Sequence, residues 1–206
     1  MRKTLVGIAT VISLVLSSNV AFADTAKPGQ SMTHMKTLAG ISSTLEGQGI
    51  LLYVQGGATS AVIGESISST DGQVVFHIPI TGTKSGVEHT GSNIVFFNSA
   101  NNKLVVLRNP IIDLTKGVVT AVIPQVSGEV MTALQITNVS ALKPVVTNDR
   151  KALLKTTEYK CAALSLAPGI GVALTSLLGL PVGSIPENLA FATADVSLYS
   201  TIKAKK

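Results

Sequence analysis

Few side chains of this chain could take part in acid–base or metal chemistry. There are three histidines, His34, His77 and His89, and a single cysteine, Cys161. A zinc site requires three or four ligands from Cys, His, Asp or Glu in suitable geometry. His77 and His89 could meet across a hairpin, but no convincing third ligand accompanies them. The sequence therefore predicts no metal site.

Nucleophilic catalysis is not indicated either. The chain has no Gly-x-Ser-x-Gly turn for an activated serine and no glycine-rich phosphate-binding motif. Cys161 lies in the apolar run EYKCAALSL, which predicts a buried, inert thiol. A catalytic thiol needs an exposed site and a nearby base. We therefore predict that the protein is not an enzyme.

The first residues have the pattern of a bacterial signal peptide. Arg2 and Lys3 precede the apolar run Leu5 to Leu16, and the small-x-small pattern of residues 21–23 follows. The apolar run is too short for a membrane span, which needs about 20 apolar residues. We expect residues 1–23 to be cleaved, leaving a mature chain with no membrane span. Its location would be periplasmic, cell-surface or extracellular.

The mature chain has a mild positive charge. Removing Arg2 and Lys3 from the 16 basic residues leaves 14 against 11 acidic residues, a formal net charge of +3. That charge is too small and too scattered to predict nucleic-acid binding. We expect a flexible polar arm over residues 24–37, a single domain over residues 38–202 and a basic tail over residues 203–206.

The block from Gln73 to Ile123 predicts antiparallel strands. In its first run, Val74, Phe76 and Ile78 alternate with more polar positions, as in a half-buried strand. Further β-type runs follow after short turns, which is typical of a meander. These runs are Asn93–Phe97, Lys103–Arg108, Pro110–Leu114 and Val118–Ile123.

The flanking segments complete an all-β pattern. Additional strands are predicted at 49–54, 58–65, 129–138 and 189–202, while residues 159–166 fit either a strand or a helix. Pro168 and Gly179 bracket a helical segment. The fold class expected is all-β, a mainly antiparallel sandwich or partly open barrel, with one short C-terminal α-helix.

Several of these segments also resemble a known family. The runs FHIPITG, GVEHTG, NNKLVV, RNPIIDL and GVVTA, followed by KCAALSLAPGIGVALTSLLG and LAFATADVSL, occur in that order. Their order and spacing resemble the secreted HtaA-type domain of bacterial haem-uptake proteins and uncharacterised secreted proteins. The resemblance covers most of residues 45–200 and implies a secreted β-domain.

The resemblance also implies haem as a cofactor to test. Haem-binding members use a tyrosine ligand near the domain start, supported by a histidine in a turn. The corresponding turn, Ser99 to Asn102, contains no histidine here. Tyr53 and His89 are the best pair to test, with His77 as a further candidate. Alternatively, Tyr53 fills the rim of the core and His89 bonds a turn carbonyl.

Two functions are therefore expected. The first is a non-catalytic secreted binding module for haem or another flat, apolar small molecule. The alternative is a structural or self-associating protein of the envelope or extracellular matrix, which acts through β-strand contacts.

Overall fold

A computed structural model describes residues 30–63 and 72–202 of the chain. The predicted signal peptide, residues 24–29 of the predicted arm and the tail at 203–206 lie outside the described residues. No helix in the described ranges is long and apolar enough to cross a membrane.

The described part of the chain forms twelve strands, two α-helices and one 3-10 turn. In chain order the elements are β1 (Met32–Thr37), α1 (Ile41–Gly47), β2 (Ile50–Gly56), β3 (Thr59–Ile63), β4 (Gln73–Pro79), β5 (Val87–Glu88), β6 (Ser92–Asn98), β7 (Lys103–Asp113), β8 (Val118–Val122), β9 (Val130–Ile136), the 3-10 turn (Val139–Ala141), β10 (Val145–Asp149), β11 (Leu154–Leu166), α2 (Ile170–Leu177) and β12 (Ala190–Thr201). Strands occupy the predicted β-type runs, with the runs 103–108 and 110–114 joined in the single strand β7, and the C-terminal helix is confirmed. Residues 64–65 of the strand predicted at 58–65 lie outside the described residues.

The strands form one antiparallel sheet with the order β2-β6-β7-β8-β9-β11-β12-β1-β4-β3. β10 pairs with β11 and β5 pairs with β7, both beside this main path. The two end strands, β2 and β3, follow each other in the chain, so the sheet nearly closes into a barrel-like shape. This confirms the all-β class and favours the partly open barrel.

The core lies on the inner face of this sheet. β4 shows the predicted alternation, with Val74, Phe76 and Ile78 buried and Pro79 as its last residue. Phe96 of β6 and Phe191 of β12 come from distant strands and pack with ring centroids 5.9 Å apart. The inner side chains of the nearly closed sheet therefore form one hydrophobic core.

The predicted arm at 24–37 is wrong for residues 32–37. These residues form β1, which pairs with β12 on one side and with β4 on the other. The segment MTHMKT looks polar because Thr33 and Thr37 point inward with hydrogen-bonded hydroxyls. Since a buried polar group is tolerated when it has a partner, a polar composition did not exclude a strand here.

Two further elements escaped the sequence patterns. α1 has only seven residues, of which Ser42 and Leu45 are buried, and it contacts β2 and β4. β10 has no buried residue, so it shows no alternation to detect. α1 packs mainly on β2 and β10 pairs with β11, in each case the next element of the chain, so packing and pairing position them rather than a hydrophobic pattern of their own.

The prediction of a buried Cys161 is also wrong, because the cysteine is exposed. Between Tyr159 and Ala162, β11 bulges against β12, and Cys161 adopts a φ of 57°. Its N–H donates to Asp195 Oδ1 at 2.7 Å, and its carbonyl accepts from Asn138 Nδ2 at 2.8 Å. The extra residue of a bulge disrupts the alternation, so an apolar run did not place each member inside.

Candidate functional site

His89 is a titratable side chain that is only 1% exposed. It follows β5, and its Nδ1 lies 2.9 Å from Pro110 O while its Nε2 lies 2.8 Å from Thr33 Oγ1. A carbonyl can only accept, so Nδ1 carries the proton and Nε2 accepts from the Thr33 hydroxyl. Burial lowers the pKa of His89, and the hydrogen bond to Pro110 partly opposes this shift. The imidazole is therefore neutral at neutral pH.

A bulge in β7 presents the carbonyl that holds His89. Asn109 has a φ of 49°, and the register of β7 with β8 shifts between Arg108 and Ile111. The Pro110 carbonyl accepts both the backbone N–H and the ring N–H of His89. Asn109 Oδ1 also accepts the N–H of Gly91 at 2.8 Å. The turn that carries His89 is thus fastened to β7 at three points.

His89 and Thr33 are the polar members of the lining of a small internal cavity. Its volume is about 20 Å³. The other lining residues are apolar: Met35, Ile78, Ile94, Pro110, Ile112, Val119, Leu134, Leu164 and Ala194. Such a space holds about one water molecule. It is far too small for a porphyrin.

Tyr53 lies on the opposite face of the sheet from His89. Its neighbours in β2, Leu52 and Val54, pack in or against the core, so Tyr53 points outward. His89 instead lines the internal cavity. The structure therefore does not bring the predicted pair together. The hydrogen bond from His89 to Pro110 agrees with the alternative in which this histidine bonds a carbonyl.

The outer face beside Tyr53 carries an apolar row across three strands. Leu51 of β2, Phe97 of β6 and Leu104 of β7 are in register. Leu51 is 40% exposed and Leu104 is 41% exposed. Side chains in register on one face of adjacent strands lie next to each other. Together with Tyr53, these three residues form what we call the outer apolar row.

His77 also lies on the outer face, where it contacts His34 rather than His89. The two residues are directly paired between β4 and β1, with ring centroids 4.8 Å apart and nearly perpendicular planes. Nδ1 of His77 is buried and has no hydrogen-bond partner. Asp195 of β12 is paired with His34 on the other side. The sequence pattern did not reveal this pair, because the polar residues around His34 predict a flexible arm.

β10 is a fully exposed strand. All five of its residues are exposed, including Val145 at 54% and Val146 at 49%. Within the described ranges its pairing partner is β11, and its other side carries no strand. Unpaired backbone groups therefore coincide with exposed valines along this edge.

The described residues contain no group of three or more His, Cys, Asp or Glu side chains arranged to hold a metal ion. No family model matches the chain, and no match was found among curated proteins or among solved structures. The resemblance to the HtaA-type domain therefore stays a prediction.

Proposed function

We propose that this protein is an exported, non-catalytic module that associates with other copies of itself through β-strand contacts. The proposal rests on the exposed edge of β10. A strand edge with unpaired N–H and C=O groups is a template for another strand, and natural proteins usually cover or charge such edges. In β10 the charge is confined to Asp149 at one end, while Val145 and Val146 at the other end are about half exposed.

The simplest partner for this edge is β10 of a second copy of the protein. Two antiparallel β10 strands centred on Thr147 would place Val145 opposite Asp149 and Val146 opposite Asn148 of the other copy. Such a contact is self-complementary, as a two-fold interface requires. It would continue the sheet from one molecule into the next, with main-chain hydrogen bonds supplying much of the affinity.

The small size of the internal cavity favours a function at the protein surface. The cavity beside His89 holds about one water molecule, so the space that the described residues enclose there is too small for a substrate or cofactor. The size of this cavity favours binding at the outer faces and edges of the sheet.

Sedimentation velocity over a range of protein concentrations tests the proposal. The wild-type protein should associate as its concentration rises, and the double variant Val145→Lys/Val146→Lys should stay monomeric because charges on an edge oppose strand pairing. Val172→Lys is the matched control, since Val172 is an exposed valine of α2. Association that persists in the β10 variant, or a wild-type protein that stays monomeric, would overturn the proposal.

The outer apolar row favours a second candidate function, the binding of haem or another flat apolar molecule. Leu51, Phe97 and Leu104 offer a flat apolar surface, and Tyr53 adds a phenol that could ligate ferric iron. This version retains Tyr53 from the predicted haem pair. It requires no contribution from His89 or His77, which lie elsewhere.

Haem titration followed by absorbance tests this second candidate. Binding on the outer apolar row should give a Soret band that weakens in Tyr53→Phe and in Leu104→Lys. Tyr199→Phe is a suitable control, because Tyr199 is another partly exposed tyrosine on a different strand. Absence of a band, or a band unchanged in Tyr53→Phe and Leu104→Lys, would exclude haem binding at this surface.

A further inference from the structure

The contact between His34 and His77 depends on their place in the sheet. The N–H of Ile80 donates to Ser31 O at 3.1 Å, so residues 31 and 80 form a hydrogen-bonded pair of the β1–β4 ladder. Hydrogen-bonded and non-hydrogen-bonded pairs alternate along an antiparallel ladder. His34 and His77, three steps along, therefore form a non-hydrogen-bonded pair, in which side chains lie closest together.

The two imidazoles start from neighbouring points and project to the same side. Directly opposed residues have Cβ atoms about 4.5–5.5 Å apart. The ring centroids of His34 and His77 are 4.8 Å apart at an interplanar angle of 81°. Aromatic packing accounts for this contact in part, but it leaves Nδ1 of His77 buried without a hydrogen-bond partner. Buried nitrogens without a partner are uncommon in proteins, and a bound ion can supply the partner that such a nitrogen lacks.

We propose that His34 and His77 form a two-histidine site for a transition-metal dication such as Zn²⁺. Imidazole nitrogen is a preferred ligand of zinc, copper and nickel ions, and a Zn–N bond is about 2.0–2.1 Å long. Rotation of one ring out of the edge-to-face contact would turn a nitrogen of each ring towards a shared ion. Water would complete the coordination, so the site would be open and its metal exchangeable.

Asp195 adds negative charge beside the pair. It is paired with His34 across the β1–β12 ladder, and its Oδ1 is fixed by the N–H of Cys161 at 2.7 Å. Carboxylates next to ligating histidines orient the ring and raise its basicity. In this proposal Asp195 contributes charge next to His34 and is not a third ligand. The site joins β1 to β4, so bound metal would fasten the first described strand to the sheet.

Titration of the mature protein with Zn²⁺, followed by calorimetry, tests the site at a concentration where the protein is monomeric. The wild-type protein should bind one ion at the pair. His77→Phe and His34→Phe each keep a ring of similar size in the contact but remove the nitrogens, and each should weaken binding at least tenfold. Asp195→Asn should weaken binding by less, because its contribution is indirect.

Cys161→Ser is the matched control, because thiols bind zinc and Cys161 neighbours Asp195. The proposal requires that this variant bind as the wild type does. It would be overturned by the absence of one-to-one binding, by Phe variants that bind normally or by loss of binding in Cys161→Ser. Circular dichroism and melting curves of each Phe variant would show that the fold is retained, so that lost binding reports on the ligands. Self-association is measured separately, so either proposal can fail without the other.

Discussion

The inner and outer faces of the sheet use histidine in opposite ways. On the inner face, both ring nitrogens of His89 have hydrogen-bond partners. Apart from His89 and Thr33, the residues that line the adjacent cavity are apolar. On the outer face, His77 keeps a buried nitrogen without a partner beside the ring of His34. The face of the sheet, rather than the residue type, therefore separates a structural histidine from a candidate ligand.

In β1, a residue of the inner face and a residue of the outer face are adjacent in sequence. Thr33 points inward to His89, while the next residue, His34, points outward to His77. Successive side chains of a strand lie on opposite faces, so one step in sequence moves a residue from core to surface. Substitutions at neighbouring residues are therefore the most direct way to distinguish the two faces.

The largest expected difference is between Phe96 and Phe97 of β6. Phe96 is 2% exposed and packs on Phe191, whereas Phe97 belongs to the partly exposed outer apolar row. Phe96→Ala should lower the free energy of unfolding by about 3–5 kcal/mol, the usual range for a buried phenylalanine. Phe97→Ala should cost about 1 kcal/mol because less of its area is buried. Urea denaturation measures both, and equal losses would mean that the outer face is packed as tightly as the inner face.

The second expected effect concerns the contact between Thr33 and His89. Thr33→Val removes the hydroxyl that donates to Nε2 and leaves a buried acceptor unpaired, which should cost about 1–3 kcal/mol of stability. Thr59→Val, on the exposed strand β3, should change stability by less than about 0.5 kcal/mol. Thermal melting of the two variants would compare them. A neutral Thr33→Val would indicate that the Thr33 hydroxyl does not pair with His89 on the inner face as described.

The third effect is a pH dependence that originates inside the sheet. Burial lowers the pKa of folded His89 below its ordinary value, so the unfolded chain binds the proton more readily. Stability should therefore fall as the pH drops below about 6.5, the unfolded value, towards the lower folded pKa. Among the described residues, no charged side chain lines the cavity to offset this.

The pKa of Asp113 is lowered mainly by the backbone N–H of Lys116, so its contribution is lost only in more acidic solution.

Stability measured between pH 7 and pH 5 in wild type and His89→Gln isolates this contribution. The difference in free energy of unfolding between the two proteins should shrink as the pH falls, because only the wild type must take up a proton on His89 when it unfolds. A difference that stays constant across this range would show that His89 does not titrate with a lowered pKa.

The smallest expected effect tests the bulge at Cys161. A non-glycine residue at a φ of 57° is strained, and glycine adopts this conformation without strain. Cys161→Gly should raise the free energy of unfolding by about 0.5 kcal/mol. Cys161→Ala keeps the strain and should be close to neutral. Chemical denaturation measures the free energy of unfolding of both variants. If Cys161→Ala is also stabilising, the increase in stability comes from removal of the thiol and not from relief of strain.

Local patterns were sufficient where one strand face is apolar and the other polar. The alternation in β4 and the helix between Pro168 and Gly179 were readable because residues within a few positions of each other decide them. β1, α1 and β10 were missed because they lack an apolar stripe. β1 is held by hydrogen bonds and pairing to residues far along the chain, and β10 by pairing to β11.

The candidate site was harder to predict from the sequence than the fold. The sequence identified His77, His89 and Tyr53 as residues of interest, but it could not tell which of them meet. The contact of His34 with His77 depends on the pairing of β1 with β4, which brings together two residues 43 positions apart (77 − 34). The burial of His89 depends on a bulge in β7 and on a hydroxyl from β1.

The amino-acid pattern was enough to specify the β-rich class, the helix near the C-terminus and the small set of residues capable of ligand chemistry. Folding in three dimensions was needed to make residues 32–37 a strand of the sheet, to expose Cys161 and to bring His34, rather than His89, beside His77. Alternation within a strand is a local property of the chain. Strand pairing and register join distant segments, and they are selected by the burial and hydrogen bonding of the whole sheet.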